Sequence, residues 1–440
     1  MSKKLFTAIL AIMGLFVCSI WFTGCTTLHK PTQGLIYTLN EDGESYTCSG
    51  IGTAKDNVLV IVREYNDKPV THIGDMAFYN CKTITNVKIP ISVVSIGASA
   101  FKNCGKLLTL EIVSPVVEMY HKIEIKESAF ENCEFLTSMA LSSDLEIIGE
   151  NAFKGCKRLL EAKIPDSVTH IKDYAFSGCE KLENLVMNNG NLTTIGEGAF
   201  TACKKLENID LPNTLTTIGR VAFQNCESLK GIKIPANVSS IGEEAFRNCF
   251  KFSSISVDSG NTTYKSSGNC LIETASKTLI LGCGNSVIPT DGSVEIIGER
   301  SFRYCEVLTQ ITIPANVKTI GDFAFSYCEN LVNLTISNGV STIGEGAFCG
   351  CYELTNIVIP ESITTISKLA FSDCDELTEV SISSSVTEIG ESTFAWDTNL
   401  SSIKFDGTIA QWNSITKGLN WNKNTGNYVV TCSNGTVNKE

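Results

Sequence analysis

The most constraining feature of this 440-residue chain is a phenylalanine that returns at an almost fixed distance. Thirteen phenylalanines form the series, and ten of the twelve intervals between them are 23 or 24 residues. They are Phe78, Phe101, Phe130, Phe153, Phe176, Phe200, Phe223, Phe246, Phe302, Phe325, Phe348, Phe371 and Phe394. A constant period of this length is typical of repeat architectures, in which one unit is stacked many times because a single unit cannot bury its own apolar face. The sequence therefore predicts one extended repeat solenoid, and its uniform surface makes an enzyme unexpected.

The repeat unit is clearest between Ile218 and Gly242. The alternation Ile232-Lys233-Ile234 within it predicts a short strand with both isoleucines inward and the lysine outward. Proline follows directly and ends the strand, because it cannot donate to a sheet ladder. Gly242 is expected to permit a sharp corner before a short helical turn that carries the next phenylalanine. Stacked coils should repeat at about 4.8 Å, with Phe over Phe and Cys over Cys.

The full signature of the unit is Ala-Phe-x-x-Cys-x-x-Leu-x-x-Ile-x-Ile-Pro, and it recurs from Ile73 to Ile403. In this respect the chain resembles the BspA-like class of bacterial leucine-rich repeats. The resemblance implies a leucine-rich-repeat rod over residues 71–402, with short parallel strands in each coil and short helical turns on the opposite side. It also implies a β-rich N-terminal cap over 35–70 and a C-terminal cap over 403–440. Members of the class are associated with attachment to host matrix proteins and to other cells.

Two insertions interrupt the period. Between Phe246 and Phe302 the interval is 56 residues, and the extra segment at 258–290 contains two runs that suit the strands of a hairpin. This insert resembles the β-island found in many BspA-like arrays. A smaller insertion between Phe101 and Phe130 is either tolerated loop growth at one edge or a binding loop.

The N-terminus predicts export. Lys3 and Lys4 precede an apolar run and a small-residue cleavage site, so residues 1–24 are expected to be a signal peptide. The tetrad that ends at Cys25 resembles a bacterial lipobox, which implies that Cys25 is acylated and that 25–34 is a polar tether. An uncleaved membrane anchor is the alternative, because about 20 apolar residues can span a bilayer. Thr26 favours sorting to the outer membrane, and we expect a lipid-anchored protein that is exposed at the cell surface.

The charge of the chain limits its partners. Removal of residues 1–24 leaves 33 basic against 47 acidic residues, a net charge of −14. Such a surface repels nucleic acid and anionic membranes. We therefore expect protein partners, no nucleic acid, and membrane association through the lipid anchor.

Nineteen cysteines in an exported chain would ordinarily indicate a disulfide framework. Twelve of them, however, occupy the third position after a repeat phenylalanine. They are Cys81, Cys104, Cys133, Cys156, Cys179, Cys203, Cys226, Cys249, Cys305, Cys328, Cys351 and Cys374. One residue type at one repeated position fills one structural need, so we expect free, buried packing thiols here. Cys270 and Cys283 on the hairpin are the better candidates for a disulfide.

Catalytic chemistry finds little support in the sequence. The four histidines, His29, His72, His121 and His170, are in no zinc-ligand or nucleophile-partner spacing. Each Ile-Gly pair belongs to the repeat, so there is no phosphate-binding glycine loop. Cys349-Gly350-Cys351 resembles a redox motif in isolation, but Cys351 belongs to the repeated series. We expect no catalytic residues, no metal site and no cofactor.

The outward positions of the strands form the candidate binding surface, called here the strand face. Its candidate binding residues are Lys88, Glu111, Lys163, Asp210, Lys233, Thr312, Thr335 and Val358, with Ala140, Val186, Ser256 and Ser381 in the same row. The later members are uncharged, which suits a binding strip but also simple strand propensity. The row has no aromatic anchor, which favours weak contacts multiplied along the rod. The expected role is adhesion to host matrix or neighbouring cells, and the alternative is a periplasm-facing envelope scaffold.

Overall fold

The computed structural model describes residues 30–113 and 122–439, and these form a parallel β-solenoid. The signal peptide, Cys25 and most of the insertion between Phe101 and Phe130 lie outside the described residues. Each coil contributes a longer strand to one side, a shorter strand to a second side and a tight turn that carries the phenylalanine.

The longer strands carry the strand face and alternate between exposed and buried residues, as the Ile-Lys-Ile pattern predicts. Neighbouring strands pair parallel and in register. Before the long insert they are Asn86–Ile89, Thr109–Ile112, Ser138–Ala140, Glu161–Ile164, Asn184–Met187, Gly231–Ile234 and Ser254–Val257. After it they are Gln310–Ile313, Asn333–Ile336, Asn356–Ile359, Glu379–Ile382 and Ser402–Phe405.

The shorter strands end on the isoleucine of each Ile-Gly pair in most coils, and that isoleucine points into the core. In the first half they are Ser95–Ile96, Ile123–Ile125, Leu145–Ile148, His170–Ile171, Thr194–Ile195, Thr217–Ile218 and Ser240–Ile241. In the second half they are Ile296–Ile297, Thr319–Ile320, Thr342–Ile343, Thr365–Ile366, Glu388–Ile389 and Thr416–Lys417.

The expected short helical turns are wrong, because the described coils have tight, non-helical turns around the phenylalanine. In one coil Val221 and Asn225 adopt φ angles of 49° and 59° on either side of Phe223. Left-handed residues at this spacing prevent a right-handed helix from propagating. The turns are held between coils instead, and the N–H of Phe223 donates to the carbonyl of Ala245 at 2.8 Å.

The phenylalanines stack through the core as the repeat predicts. From Phe78 to Phe246 the successive ring centroids are 4.9 to 5.5 Å apart. A second stack runs from Phe302 to Phe394 with spacings of 4.7 to 5.9 Å. The apolar core is correspondingly divided into two clusters.

The glycine of the Ile-Gly pair serves close packing between coils. A Cβ atom added at Gly219 would lie 2.5 Å from the carbonyl carbon of Gly196, and one added at Gly242 would lie 2.3 Å from the nitrogen of Arg220. Neither glycine has a positive φ angle. Glycine is therefore needed here because the backbone of the neighbouring coil lies too close for a side chain. The sharp corner that the sequence predicts is not the reason for it.

The long insert is built into the solenoid and does not form a separate island. Strands Tyr264–Ser267, Cys270–Glu273 and Thr278–Leu281 pair antiparallel in that order. The third strand then pairs parallel with Ile296–Ile297, which begins the second row of short strands. The N–H of Ile241 donates to the Tyr264 hydroxyl at 3.2 Å, so the insert also closes the end of the first row.

Both ends of the described solenoid carry additional strands. The N-terminal ones are Ile36–Leu39, Tyr46–Gly50, Val58–Val60, Glu64–Tyr65 and Lys68–Ile73. At the other end are the helix Ile409–Ser414, which is the only α-helix among the described residues, and the hairpin Val429–Cys432 with Gly435–Asn438. There the second stack ends with Phe394 edge-on against Trp421, with centroids 6.3 Å apart. Antiparallel strands at both ends cover sheet edges that would otherwise be open to pairing.

Candidate functional site

The structure places all eight candidate residues on the outward side of the strand face. Lys88 is half-exposed, and the other seven are exposed. Within a paired segment, the outward residues of neighbouring coils are direct register partners, as in Lys88 with Glu111 and Thr312 with Thr335. Side chains from successive coils therefore form a row at strand spacing, which a partner can contact over several coils at once.

The strand face is continuous only in segments. Asp210 lies in a coil whose outward segment is not assigned as a strand, so it separates the pair that contains Lys163 from the pair that contains Lys233. The long insert then separates Ser256 from Thr312. The outward row is thus exposed but divided into shorter sheets, and binding there stays a prediction.

Sequence reasoning missed the two ends of this row. Val60 in the N-terminal strands pairs with Lys88, and Lys404 pairs with Ser381 on one side and Thr431 on the other. The triplet Ile403-Lys404-Phe405 repeats the Ile-Lys-Ile pattern at the expected distance, and this was a readable signal for the C-terminal extension.

Several charges of the strand face are paired with each other. Lys88 lies 3.0 Å from the carboxylate of Glu111, and Lys404 lies 2.7 Å from that of Glu379. Lys233 is only loosely paired, at 3.8 Å from Asp258 and with 70% of its side chain exposed. Exposed ion pairs contribute only about 0 to 1 kcal/mol each to stability. The fold therefore does not depend on these charges, and they can take part in recognition.

The repeated cysteines have a bonding role beyond filling space. Ten of them donate a weak S–H hydrogen bond to the carbonyl of the phenylalanine in the preceding coil, with Sγ to O distances of 3.1 to 3.5 Å. All cysteines among the described residues are free thiols. A thiol at this position is therefore both an apolar filler and a donor that ties one coil to the one before it.

Burial makes these thiols poor nucleophiles. It raises the pKa of the Cys104 and Cys249 thiols to about 12. The same cause raises the pKa of Cys349 to about 11, and Cys349 and its neighbour Cys351 are both free and buried. Because the thiolate is the reactive form, burial disfavours redox chemistry at the Cys349-Gly350-Cys351 segment.

The candidate disulfide between Cys270 and Cys283 is not formed. Both thiols are free and buried, and they bond to different carbonyl groups. Cys270 Sγ lies 3.5 Å from the carbonyl oxygen of Gly268, whereas Cys283 Sγ lies 3.7 Å from that of Asn269. Ser286 contacts both side chains, so the two thiols are neighbours at the end of the insert without being bonded to each other.

The part of the chain that the structure describes has neither a set of metal ligands nor a membrane-spanning helix. Within it, no three His, Cys, Asp or Glu side chains come together as a set of metal ligands. No helix there has the length and apolar character needed to cross a bilayer.

Comparison with known proteins identifies the family. The model of the BspA type leucine rich repeat region, six copies long, matches at residues 65–183, 123–253, 173–290 and 295–416. These matches cover most of the 440 residues. No curated protein matches the chain significantly.

Several solved structures share the fold. A leucine rich cell surface protein from Faecalibacterium prausnitzii A2-165 is 30% identical, with a TM-score of 0.59, over 88% of this chain and 97% of that one. A leucine-rich repeat protein from Bacteroides ovatus is 24% identical, with a TM-score of 0.61, over 92% and 100% of the two chains. The pneumococcal vaccine antigen PcpA is 17% identical, with a TM-score of 0.50, over 91% and 98%. The chain therefore belongs to the BspA-type leucine-rich repeat family.

Proposed function

We propose that this protein is a cell-surface lipoprotein that binds other proteins through the strand face, with adhesion to host matrix or neighbouring cells as its role. The observation that carries the proposal is the register of the outward row. Outward side chains of neighbouring coils stand side by side within each paired segment, and such segments occur from Val60 near one end to Thr431 near the other. A surface repeated along a solenoid is suited to an extended partner.

The composition of the strand face supports many weak contacts in place of one tight contact. Its eight candidate residues include no aromatic side chain. The most apolar of them, Val358, is 59% exposed. Tight interfaces concentrate their affinity in buried aromatic and arginine anchors, whereas linked weak contacts gain strength through effective concentration.

The proposed location rests on two observations. The sequence of residues 1–25 has the order of a lipoprotein signal ending in Cys25, and the relative from Faecalibacterium prausnitzii is described as a cell surface protein. Acylation of Cys25 would attach the rod to the outer membrane, with residues 26–34 as its tether. The proposed role is non-catalytic and needs no cofactor, and the deeply buried, poorly ionised thiols are consistent with it.

Binding of residues 26–440 to immobilised matrix proteins tests the proposal. The test variant combines Lys163→Gln, Asp210→Asn and Lys233→Gln, which remove three exposed charges of the strand face. The matched control combines Lys126→Gln, Glu127→Gln and Lys172→Gln, which remove the same number and signs of exposed charge beside the turns.

Loss of binding in the test variant and retention in the control would support the strand face as the site. Equal binding by both variants would move the site to the insert or to the end strands. Failure of the unmodified protein to bind any matrix or cell-surface protein would remove the adhesion proposal in favour of a periplasm-facing scaffold.

A further inference from the structure

A cavity of about 290 Å³ lies at the break between the two phenylalanine stacks. Phe246 ends the first stack, where it meets the tilted ring of Phe252 at 5.7 Å, and Phe302 begins the second. Leu281 of the insert lines the same space. The volume is at the small end of the range for small-molecule sites, about 300 to 1,000 Å³.

Three of the six arginines of the chain line this cavity. Arg247 directly follows Phe246, and Arg303 directly follows Phe302. No other repeat phenylalanine is followed by arginine. Arg300 is the third, two residues before Phe302. Arginine thus occurs beside the phenylalanines only in the two coils that border the break.

Only two of the four glutamates that line the cavity form ion pairs with these arginines. Glu244, with 17% of its side chain exposed, is shared by all three, at 3.2 Å from Arg247 and at 3.7 and 3.8 Å from Arg300 and Arg303. Glu299 contacts Arg300 at 2.9 Å and is more than half exposed. Glu243 and Glu273 also line the cavity but, among the described residues, form no ion pair with these arginines, so the three guanidinium groups are only partly paired.

The guanidinium groups also retain unused donors. The Nε atom of each arginine is buried and has no hydrogen-bond partner within the described residues. Two of the three groups are held in place by one ring, because Arg247 and Arg303 lie 5.1 and 5.0 Å from the centre of Tyr304. Tyr304 in turn stacks on Tyr327 at 5.0 Å. Buried donors on fixed side chains are the features of a prepared anion site.

We propose that this cavity, called here the arginine cleft, binds a small organic carboxylate that has an apolar body. Guanidinium groups pair with carboxylates in a planar, two-bond geometry. A monoanion can pair with the unused Nε donors, and the four glutamates that line the cavity disfavour a dianion such as phosphate. The rings of Phe246 and Phe302 and the side chain of Leu281 supply the apolar wall. The site is separate from the strand face and does not depend on its function.

Titration calorimetry of residues 26–440 with phenylacetate and hexanoate tests the proposal, with phenylacetamide as the neutral probe and inorganic phosphate as the anion without an apolar body. We expect saturable binding of the two carboxylates and much weaker binding of the amide and of phosphate. Arg303→Met should weaken carboxylate binding by about tenfold or more, since it removes a charge-assisted contact. Arg158→Gln is the control, because the guanidinium of Arg158 lies 3.9 Å from the centre of the Phe135 ring, several coils before the cleft.

Glu244→Gln provides a test with the opposite sign. It removes the carboxylate that competes for the three arginines, so binding of phenylacetate should become several-fold tighter. Weaker binding in this variant would overturn the proposal, and so would equal affinity for phenylacetate and phenylacetamide, or no carboxylate binding at millimolar concentration. Preferential binding of phosphate would show that the cleft takes inorganic anions instead and would also overturn it.

Discussion

Substitution of Phe200 by alanine tests the contribution of the phenylalanine stack to stability. The ring of Phe200 is fully buried and lies 5.4 Å from both Phe176 and Phe223. Truncation of a buried phenylalanine to alanine typically destabilises a protein by about 3 to 5 kcal/mol, because it removes apolar contacts and leaves a cavity. Of this, about 0.5 to 1.5 kcal/mol is expected for each of the two lost ring pairs.

Urea unfolding followed by circular dichroism measures the effect. With a slope of about 3 kcal/mol/M, the expected loss corresponds to a midpoint about 1 M or more lower. Phe78→Ala is the matched comparison, because Phe78 begins the stack. Among the described residues its ring stacks on one other repeat phenylalanine, Phe101, with centroids 4.9 Å apart. Phe78→Ala should lower the free energy of unfolding by less than Phe200→Ala does, and the difference should be about that of one ring pair. Phe135→Ala, at a ring 39% exposed, should cost about 1 kcal/mol or less.

A loss below about 1 kcal/mol for Phe200→Ala would refute this account of the core. A loss for Phe78→Ala equal to or above that for Phe200→Ala would show that stacking on both sides adds nothing.

Three further predictions follow from the same coils. Ten of the twelve repeated cysteines are buried and should resist a maleimide reagent in the folded protein, and most of the twelve should react after unfolding without reductant; a nearly thiol-free count would contradict the free-thiol ladder. Asp397 replaces the thirteenth cysteine, is fully buried, and has a carboxyl pKa raised well above its ordinary value by burial. The folded state therefore binds the proton more tightly, and stability should fall as pH rises above the ordinary aspartate pKa of about 4. Asp397→Asn should raise the stability at pH 7 by about 1 kcal/mol or more, with the gain shrinking towards pH 4. The exposed and distant Asp166→Asn is the control, and a loss of stability for Asp397→Asn at pH 7 would contradict the reasoning. Gly219→Ala should lower the free energy of unfolding by about 1 to 3 kcal/mol, because the added Cβ meets the backbone of Gly196. Gly105→Ala is the control and should have little effect, because Gly105 has open space around it. Equal thermal midpoints for the two variants would argue against close packing between coils.

The repeat made much of this fold predictable. A pattern such as Ile232-Lys233-Ile234 is weak in one coil, but its recurrence at one period identifies the inward and outward residues of every strand. The phenylalanine stack follows from the same period, since identical positions of successive coils lie one above the other. The inward and outward positions of the strands are therefore readable from the sequence, whereas binding at the strand face stays a prediction.

The turns were mispredicted although a signal was present. Asn80, Asn103 and Asn132 stand two residues after their phenylalanines, and each has a positive φ angle. Asparagine tolerates that conformation better than most residues, so its recurrence there indicates a non-helical turn. The apolar residues alone favour a helical turn.

The arginine cleft was beyond sequence reasoning for a different reason. Arg247 and Arg303 occupy the same position in coils that the long insert separates in the sequence. Only the way the insert joins the two rows of short strands brings those coils together around Glu244. The cysteine bonds likewise depend on which carbonyl of the preceding coil each thiol meets.

The most direct test of the proposed surface role is protease accessibility on intact cells compared with cells whose outer membrane has been opened. A surface-exposed rod predicts cleavage of the protein on intact cells, with a periplasmic marker protein left whole. Protection until the outer membrane is opened would contradict the surface role and leave a periplasm-facing scaffold as the account of this solenoid.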